Sequence, residues 1–277
     1  MVRVGIITMP ANEVPGAASY IPLGIVDWFR PAGITIVPIS YRLKPRDVPA
    51  VFQHINGLFL QGGPHYVPAY MRLVSLFLKE ALASTDYFPV WGSCHGFQLI
   101  LKEFGAKWPL ETMDSMAWHS PLQMIESGRM PLYPCDPVEF SHKYGITRSR
   151  FEATPLLRDS FRILATAVDR RSQEYVAVLE HRTRPFYGAQ FHPEHIQGWP
   201  VDFFKAEMER STHSGPLPAG AVIKSATRSR CSSEWSAYQT TQKPPLCLRF
   251  RRSLKGIRSK QKRKATLKKQ GSKKGTR

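Results

Sequence analysis

One cysteine in this chain stands where a nucleophile could be activated. Cys94 is the central residue of Gly92-Ser-Cys-His-Gly96, between an apolar run at 87–91 and a helical pattern at 97–107. A strand, a residue with small neighbours and a helix form a nucleophile elbow, whose sharp, strained turn lifts the central side chain above the sheet edge. A thiol beside the positive end of a helix favours its thiolate form. The alternative is an unreactive buried cysteine in a strand-to-helix turn.

A histidine and a glutamate end an apolar strand much later in the chain. The run 184–191 leads into His192-Pro193-Glu194, and Pro193 restricts the backbone between the two polar residues. A reactive thiol needs a base, and the base needs an acceptor that orients it. Cys94, His192 and Glu194 have the side chains for these three roles. A strand-end histidine alone is usually a polar surface residue, so the prediction of catalysis depends on finding both motifs in one chain.

The two motifs resemble those of class I glutamine amidotransferase-type hydrolases. The matching strings are Gly92-Ser-Cys-His-Gly-Phe-Gln98 and Gln190-Phe-His-Pro-Glu194. Within that group the sequence is most similar to gamma-glutamyl hydrolases, which are also called folylpoly-gamma-glutamate hydrolases. Asp86-Tyr-Phe-Pro-Val-Trp-Gly92, Pro185-Phe-Tyr-Gly188 and Gly62-Gly63 carry this narrower resemblance, which covers residues 2–210.

The resemblance implies a fold and a reaction. The fold is α/β with three layers, in which helices flank a mostly parallel central sheet. The reaction is hydrolysis of gamma-glutamyl amide bonds, such as those of folylpoly-gamma-glutamate, through a thioester on Cys94, with His192 as base and Glu194 as its orienting group. No metal and no organic cofactor are expected. The expected partner is a small gamma-glutamyl compound, and a homodimer remains open.

The resemblance also assigns the oxyanion hole. Gly62-Gly63 follows the third predicted strand, where glycines allow backbone N–H groups to approach a substrate oxygen closely. The backbone N–H groups of Gly63 and His95 are expected to stabilise the charge that develops on the carbonyl oxygen. A tight turn without that role is the alternative.

Three residues are expected to bind substrate by the same resemblance. They are Gly62, His142 in the predicted polar loop 140–145, and Tyr20, which is predicted to start a helix ending near Phe29. Without the resemblance, His142 would be interpreted as a solvated loop residue and Tyr20 as an aromatic residue that packs on a loop.

Alternating strands and helices would position these residues. Apolar runs predict strands at 2–8, 35–39, 57–60, 130–134 and 186–191, an antiparallel hairpin at 161–165 and 175–179, and helices at 70–84 and 201–208. Loops are predicted at 9–18 and 108–129. This alternation favours a single α/β domain over residues 1–210.

The positive charge is concentrated at the C-terminal end. The chain has 277 residues and a net charge of +18, and residues 211–277 hold 18 of its 39 Lys and Arg residues but one of its 21 acids, Glu234. This segment is rich in polar residues, Gly and Pro and is predicted to be a disordered basic tail. Its Lys260-Gln-Lys-Arg-Lys264 cluster indicates nuclear targeting through an import receptor or nucleic-acid binding. A solubilising tail without a specific role is the alternative.

The remaining composition suggests a location. Four cysteines show no CxxC pair or zinc spacing, which favours a reducing compartment. The N-terminal residues read as a strand rather than as a signal peptide, and no apolar run is long enough for a membrane span. The sequence therefore predicts an intracellular, cytoplasmic protein without membrane contact.

Two other functions remain open. A glutaminase that supplies ammonia to a synthetase would use the same three catalytic residues, but the 86–91 string and the His142 segment argue against it. A degenerate hydrolase scaffold whose basic tail binds nucleic acid would require a dead site.

Overall fold

The structure is a computed structural model that describes residues 1–10, 19–63, 67–105, 108–132, 137–196 and 201–215. The strands, in chain order, are β1 (Arg3–Ile7), β2 (Met9–Pro10), β3 (Ser19–Tyr20), β4 (Thr35–Ile39), β5 (Gly57–Leu60), β6 (Val90–Ser93), β7 (Glu111–Ser120), β8 (Gln123–Met124), β9 (Val138–Gly145), β10 (Phe161–Val168), β11 (Glu174–His181) and β12 (Phe186–Ala189). The α-helices are α1 (Leu23–Phe29), α2 (Val48–Phe52), α3 (Pro68–Ala83), α4 (His95–Phe104), α5 (Arg148–Glu152), α6 (Pro155–Ser160) and α7 (Val201–Glu209). Short 3-10 helices occupy Arg30–Ala32, Pro45–Asp47 and Pro193–His195.

The central sheet has the predicted mostly parallel arrangement. Its strand order is β4-β1-β5-β6-β12-β11-β10-β8, and the pairings from β4 to β12 are parallel. The last three pairings are antiparallel, as the predicted hairpin requires. The residues of β5 and β6 are all buried, because helices cover both faces of a parallel sheet.

Two hydrophobic clusters cover the two faces of this sheet. One joins α2, α3, α4 and α6 to the sheet, and the other joins it to α1, α7, β7 and β9. The domain therefore has the three predicted layers, with helices on both faces of the central sheet. Within the described ranges, none of the helices combines the length and apolarity that crossing a bilayer requires.

The region predicted as loops at 108–129 instead contains a long strand. β7 pairs with β9 in a separate two-stranded antiparallel sheet, with register shifts near Ser115 and a positive φ of 45° at Ala117. The prediction of a polar loop around His142 was also wrong, because β9 places this residue on its buried side. The shifts break the alternation of buried and exposed residues, which hides the strand from periodicity.

Three further predictions need correction. Tyr20 does not start a helix: it pairs with Met9 in the β2–β3 ribbon, and α1 begins after Pro22. Residues 130–132 are not a strand, because the Glu180 carboxylate accepts the backbone N–H groups of Arg129 and Met130 (2.8 and 3.2 Å). Helix α4 begins at His95 and ends at Phe104, while residues 106–107, 133–134 and the loop at 11–18 lie outside the described residues.

The packed part of the chain extends past residue 210. His213 is 9% exposed, and its backbone oxygen accepts a hydrogen bond from the side chain of Asn56 (2.7 Å). The Arg3 guanidinium donates to the Gly215 carbonyl (2.8 Å). Since Arg3 and Asn56 precede or open strands, residues 211–215 pack on the amino end of the sheet; residues 216–277, most of the predicted tail, lie outside the described residues.

Candidate active site

Cys94 is the apex of a strained turn between β6 and α4. Its φ of 48° and ψ of −103° lie outside the conformations that residues with side chains usually adopt. A Cβ on Gly96 would lie 2.0 Å from the Leu60 carbonyl oxygen, so the close approach of α4 to β5 requires glycine there. The Cys94 N–H donates to the Ala189 carbonyl (2.8 Å) on β12. The elbow is therefore fixed by both neighbouring strands, and strain of this kind is often found at functional sites.

His192 and Glu194 form a buried hydrogen-bonded pair beside this elbow. His192 Nδ1 lies 2.8 Å from Glu194 Oε1, and the Glu194 side chain is 2% exposed. Burial disfavours the charged imidazole, but Glu194 and Cys94 raise the pKa of His192 well above its ordinary value. Burial likewise disfavours the carboxylate, but the charge and hydrogen bond of His192 lower the pKa of Glu194. The geometry therefore favours an imidazolium–carboxylate pair next to a thiol.

Ser93 links the elbow to this pair, a contact that the sequence analysis missed. Its hydroxyl donates to Glu194 Oε2 (3.0 Å) and lies 3.3 Å from the Phe191 carbonyl oxygen. Both carboxylate oxygens of Glu194 therefore have partners: His192 binds one and the residue before Cys94 binds the other. The burial of Ser93 follows from the fold, so nothing local in the sequence indicates this contact.

Two glutamines on the other side of the thiol were also missed. The Gln190 amide nitrogen lies 3.9 Å from Cys94 Sγ, and the Gln98 amide nitrogen donates to Gln190 Oε1 (3.3 Å). Gln98 also donates to the Tyr144 carbonyl (2.6 Å) on β9. A chain of side-chain amides thus connects the thiol to β9. Both glutamines stand inside the two motifs, but their contacts span up to 96 residues of sequence.

His142 lies on the buried side of β9 close to this network. It is 4% exposed, and its Nδ1 atom lies 3.0 Å from the Tyr144 carbonyl oxygen. Burial, assisted by the charge of His192, lowers the pKa of His142 to about 3. Among the described residues, its Nε2 atom is buried and has no hydrogen-bond partner. His142 is thus a neutral imidazole that donates from Nδ1 and leaves Nε2 as an acceptor.

The structure places the remaining predicted residues at different distances from the thiol. Gly62 is adjacent to it: a Cβ there would lie 2.3 Å from His192 Cε1 and 3.1 Å from Cys94 Cβ. Gly63 has a φ of 143° and faces the Met9 side chain. His95 follows Cys94 at the first position of α4, where N–H groups have no carbonyl partner within the helix.

Tyr20 contacts the site less directly. It interacts electrostatically with Tyr70, whose ring lies 6.3 Å from that of His95. The structure therefore brings Gly62 and His142 into the environment of the His192–Cys94 pair and places Tyr20 near Tyr70.

Among the described residues, one set of side chains could hold a metal ion. His192, Glu194 and His195 each offer a ligand atom, and these atoms lie within 4.8 Å of one another.

The fold and this site define a family. The family model described as "Glutamine amidotransferase class-I" matches residues 26–200, which include the elbow and the His192–Glu194 pair. The chain therefore belongs to the class-I glutamine amidotransferase family.

Curated relatives narrow the resemblance to gamma-glutamyl hydrolases. Gamma-glutamyl hydrolase B of Dictyostelium discoideum is 27% identical over 215 residues, which are 69% of this chain and 62% of the relative. Gamma-glutamyl hydrolase 1 of Arabidopsis thaliana is 29% identical over 218 residues, with the same two coverages. The chain thus spans less than two thirds of the length of these relatives.

A solved structure supports the fold. The glutaminase domain of Trypanosoma brucei CTPS, solved with bound acivicin, superposes with a TM-score of 0.58 at 16% sequence identity. The match covers 81% of this chain and 98% of that domain.

Proposed function

We propose that this protein is a cysteine hydrolase that cleaves gamma-glutamyl amide bonds with Cys94, His192 and Glu194. The observation that carries the proposal is the 2.8 Å contact between His192 Nδ1 and Glu194 Oε1 beside a cysteine held at a φ of 48°. These are the three parts that thiol-based acyl transfer needs: a nucleophile, a base and a group that orients the base. The names of the curated relatives support the choice of bond.

The reaction has two steps. The Cys94 thiolate attacks the side-chain carbonyl carbon of a glutamyl residue, and the C–N bond breaks as His192 gives its proton to the leaving amine. Water then attacks the thioester, His192 accepts a proton from it, and the free gamma-carboxylate leaves Cys94. The high pKa of His192 favours its imidazolium form, which carries the proton that the leaving amine takes.

Backbone N–H groups of Gly63 and His95 would bind the oxyanion in both steps. Gly63 follows β5 and His95 opens α4, so both stand at the carboxyl edge of the sheet beside Cys94. Preorganised donors of this kind usually contribute more to catalysis than any other single group.

The substrate we propose is a gamma-glutamyl conjugate such as folylpoly-gamma-glutamate. The acceptor atom Nε2 of His142 would bind the N–H of the scissile amide, because a neutral imidazole can accept a hydrogen bond that an imidazolium cannot. Gly62 and Tyr20 would line the pocket, Gly62 by leaving space beside Cys94 and His192.

Hydrolysis of free glutamine is the second candidate. The fold of this chain resembles that of a domain described as a glutaminase, which would use the same triad. The two reactions differ in the leaving group, which is ammonia from glutamine and an amino acid from a gamma-glutamyl conjugate.

The test compares both substrates with the full-length chain and with Cys94→Ala. Release of glutamate from gamma-linked diglutamate, lost in Cys94→Ala, is the expected result. Turnover of glutamine alone would move the protein to the second candidate. Turnover that Cys94→Ala retains would remove Cys94 as the nucleophile.

For the basic tail we propose binding to a polyanion or an import receptor. The 18 basic residues in 211–277 support this, and residues 211–215 place the start of the tail at the amino end of the sheet, away from Cys94. Binding of single-stranded RNA should weaken steeply with salt and disappear when the chain ends at residue 215. Tail-independent binding would contradict this proposal.

A further inference from the structure

A second histidine stacks on the candidate base. The ring centroids of His192 and His195 are 5.1 Å apart, and their planes differ by 10°. The 3-10 turn between them is closed by a backbone bond from His195 N–H to the His192 carbonyl (3.1 Å). A single short turn therefore presents His192, Glu194 and His195 as one preformed group.

This group has the chemistry of a zinc site. One nitrogen from each histidine and one oxygen of Glu194 lie within 4.8 Å of one another, and Cys94 adjoins His192. Imidazole, carboxylate and thiolate are the ligands that Zn²⁺ takes, usually four in number. Mg²⁺ and Ca²⁺ prefer oxygen ligands, so the donors select a borderline transition-metal ion.

The ligand atoms must move closer together before they can coordinate one ion. Tetrahedral Zn²⁺ with bonds of about 2.0–2.1 Å requires neighbouring nitrogen ligands about 3.3 Å apart. His195 is an exposed residue, and its ring lies against Gly24 of α1, where a Cβ would be in ordinary contact at 3.5 Å. Closing the site requires this ring to turn from its stack on His192 towards the buried Glu194 carboxylate. An ion from solvent meets His195 first.

We propose that His192, Glu194 and His195 form an inhibitory binding site for Zn²⁺. An ion held there occupies the base and its orienting carboxylate and so stops hydrolysis. The inhibitory effect rests on the proposed function, whereas the binding does not. His195 is what separates this site from the general affinity of any cysteine–histidine pair for zinc.

The binding experiment uses the full-length chain purified without a histidine tag. Titration calorimetry with zinc chloride should give one site per chain in the wild type. His195→Gln should weaken the affinity at least about tenfold, since even loss of a group behind a ligand costs 10–100-fold. His195→Phe, which keeps a stacked ring without a donor, should weaken it equally. His119→Gln, which removes an exposed histidine from β7, should leave it unchanged.

Equal zinc affinity in wild type, His195→Gln and His195→Phe would overturn the proposal and reduce the site to a Cys94–His192 pair. So would unchanged affinity in Glu194→Gln, which removes the carboxylate ligand. The far-ultraviolet circular dichroism of each variant shows that it is folded before its affinity is compared.

The activity experiment measures gamma-linked diglutamate hydrolysis against zinc concentration. Half-maximal inhibition should move to at least about tenfold higher zinc in His195→Gln, and excess chelator should restore full turnover. Magnesium chloride should not inhibit. Inhibition that is the same in His195→Gln would contradict the proposal. If the wild type shows no turnover even with chelator present, the proposed function is disproved. The calorimetric experiment then tests the zinc site without any measurement of activity.

Discussion

The two ends of the central sheet are built in opposite ways. At the carboxyl ends of β5, β6 and β12, the chain holds a cysteine at positive φ, a charged pair that is almost fully buried, and a histidine nitrogen without a described partner. At the amino ends, Arg3, Asn56 and Asp86 all bind residues 211–215.

The two ends differ in how they affect the stability of the fold. The bonds at the amino end close the fold and leave no strained residue among those described there. The carboxyl end accumulates strain and buried charge, each of which costs free energy unless its surroundings compensate. Ligands bind at the carboxyl end of open α/β sheets, so the unfavourable features coincide with the place where chemistry is expected. The predictions below change one end and use the other as a reference.

Removing the Cys94 side chain should have the largest effect on activity. Cys94→Ala and Cys94→Gly should both lower kcat for gamma-linked diglutamate by about 10⁴-fold or more, as loss of a covalent nucleophile does. The unfolding free energy of Cys94→Gly should exceed that of Cys94→Ala by about 1 kcal/mol, because glycine adopts a φ of 48° without strain. Urea denaturation measures this difference. Ala117→Gly, at a φ of 45° in β7, should also gain stability but keep its activity. Equal stability of the two Cys94 variants would show that the elbow stores no strain.

Separating His192 from its carboxylate should have the next largest effect. Glu194→Gln should lower kcat/KM by about 10²–10⁴-fold and move the alkaline limb of its pH profile to lower pH, because Glu194 raises the pKa of His192. Glu139→Gln, which removes a charge that acts on His195, is the control. Chelator in all assays excludes metal effects. An alkaline limb at the same pH in Glu194→Gln would contradict the charged-pair assignment.

The same pair links stability to pH in two directions. The raised pKa of His192 stabilises the fold below the ordinary value of 6.5, and this contribution is lost as pH rises through the folded pKa. The lowered pKa of Glu194 stabilises the fold above 4.5 and is lost as pH falls through the folded pKa. In Glu194→Gln, the unfolding free energy should therefore depend less on pH, both below 4.5 and above 6.5. Urea denaturation at a series of pH values measures this.

Sequence was sufficient for the parts of this site that local chemistry determines. The elbow depends on small neighbours of Cys94, and the His192–Glu194 contact depends on a proline between them, so both are visible in a few consecutive residues. The central parallel strand at 57–60 was equally legible, since burial on both faces makes it continuously apolar.

Sequence could not reveal the contacts between distant segments. The Ser93–Glu194 and Gln190–Cys94 contacts join residues 101 and 96 positions apart, and nothing local distinguishes these side chains from solvated ones. His142 was assigned to a loop because its segment, 140–145, is short and polar, although β9 buries every second residue from Val138 to His142. Its burial and its low pKa follow from packing between two sheets.

Two glycines at opposite ends of β5 allow the same substitution to be compared at the two ends of the sheet. A Cβ in Gly62→Ala would meet His192 Cε1 at 2.3 Å, so the imidazole must move, and a shift of 1 Å can lower kcat about 10²-fold. A Cβ in Gly57→Ala would meet Met208 Cγ at 2.7 Å, which should cost about 1–3 kcal/mol of stability and leave kcat unchanged. Steady-state kinetics and urea denaturation of both variants test this. If Gly57→Ala is fully folded under assay conditions but has lost activity, the two ends of the sheet do not have separate roles.

The smallest effect on activity should come from residues 211–215, the clasp, which pack on the amino end of the sheet. His213 Nδ1 lies 2.9 and 3.0 Å from the carbonyl oxygens of Phe52 and Ile55, and Nε2 lies 3.4 Å from Asp86. His213→Ala removes these contacts from a buried position and should cost about 1–3 kcal/mol in urea denaturation, with kcat and KM unchanged. Thr212→Ala, which removes an exposed hydroxyl that bonds Asp86 at 2.9 Å, should cost under about 1 kcal/mol. Because the clasp contacts no residue of the Cys94 site among those described, a change in kcat in either variant would show that the two ends are coupled through the sheet.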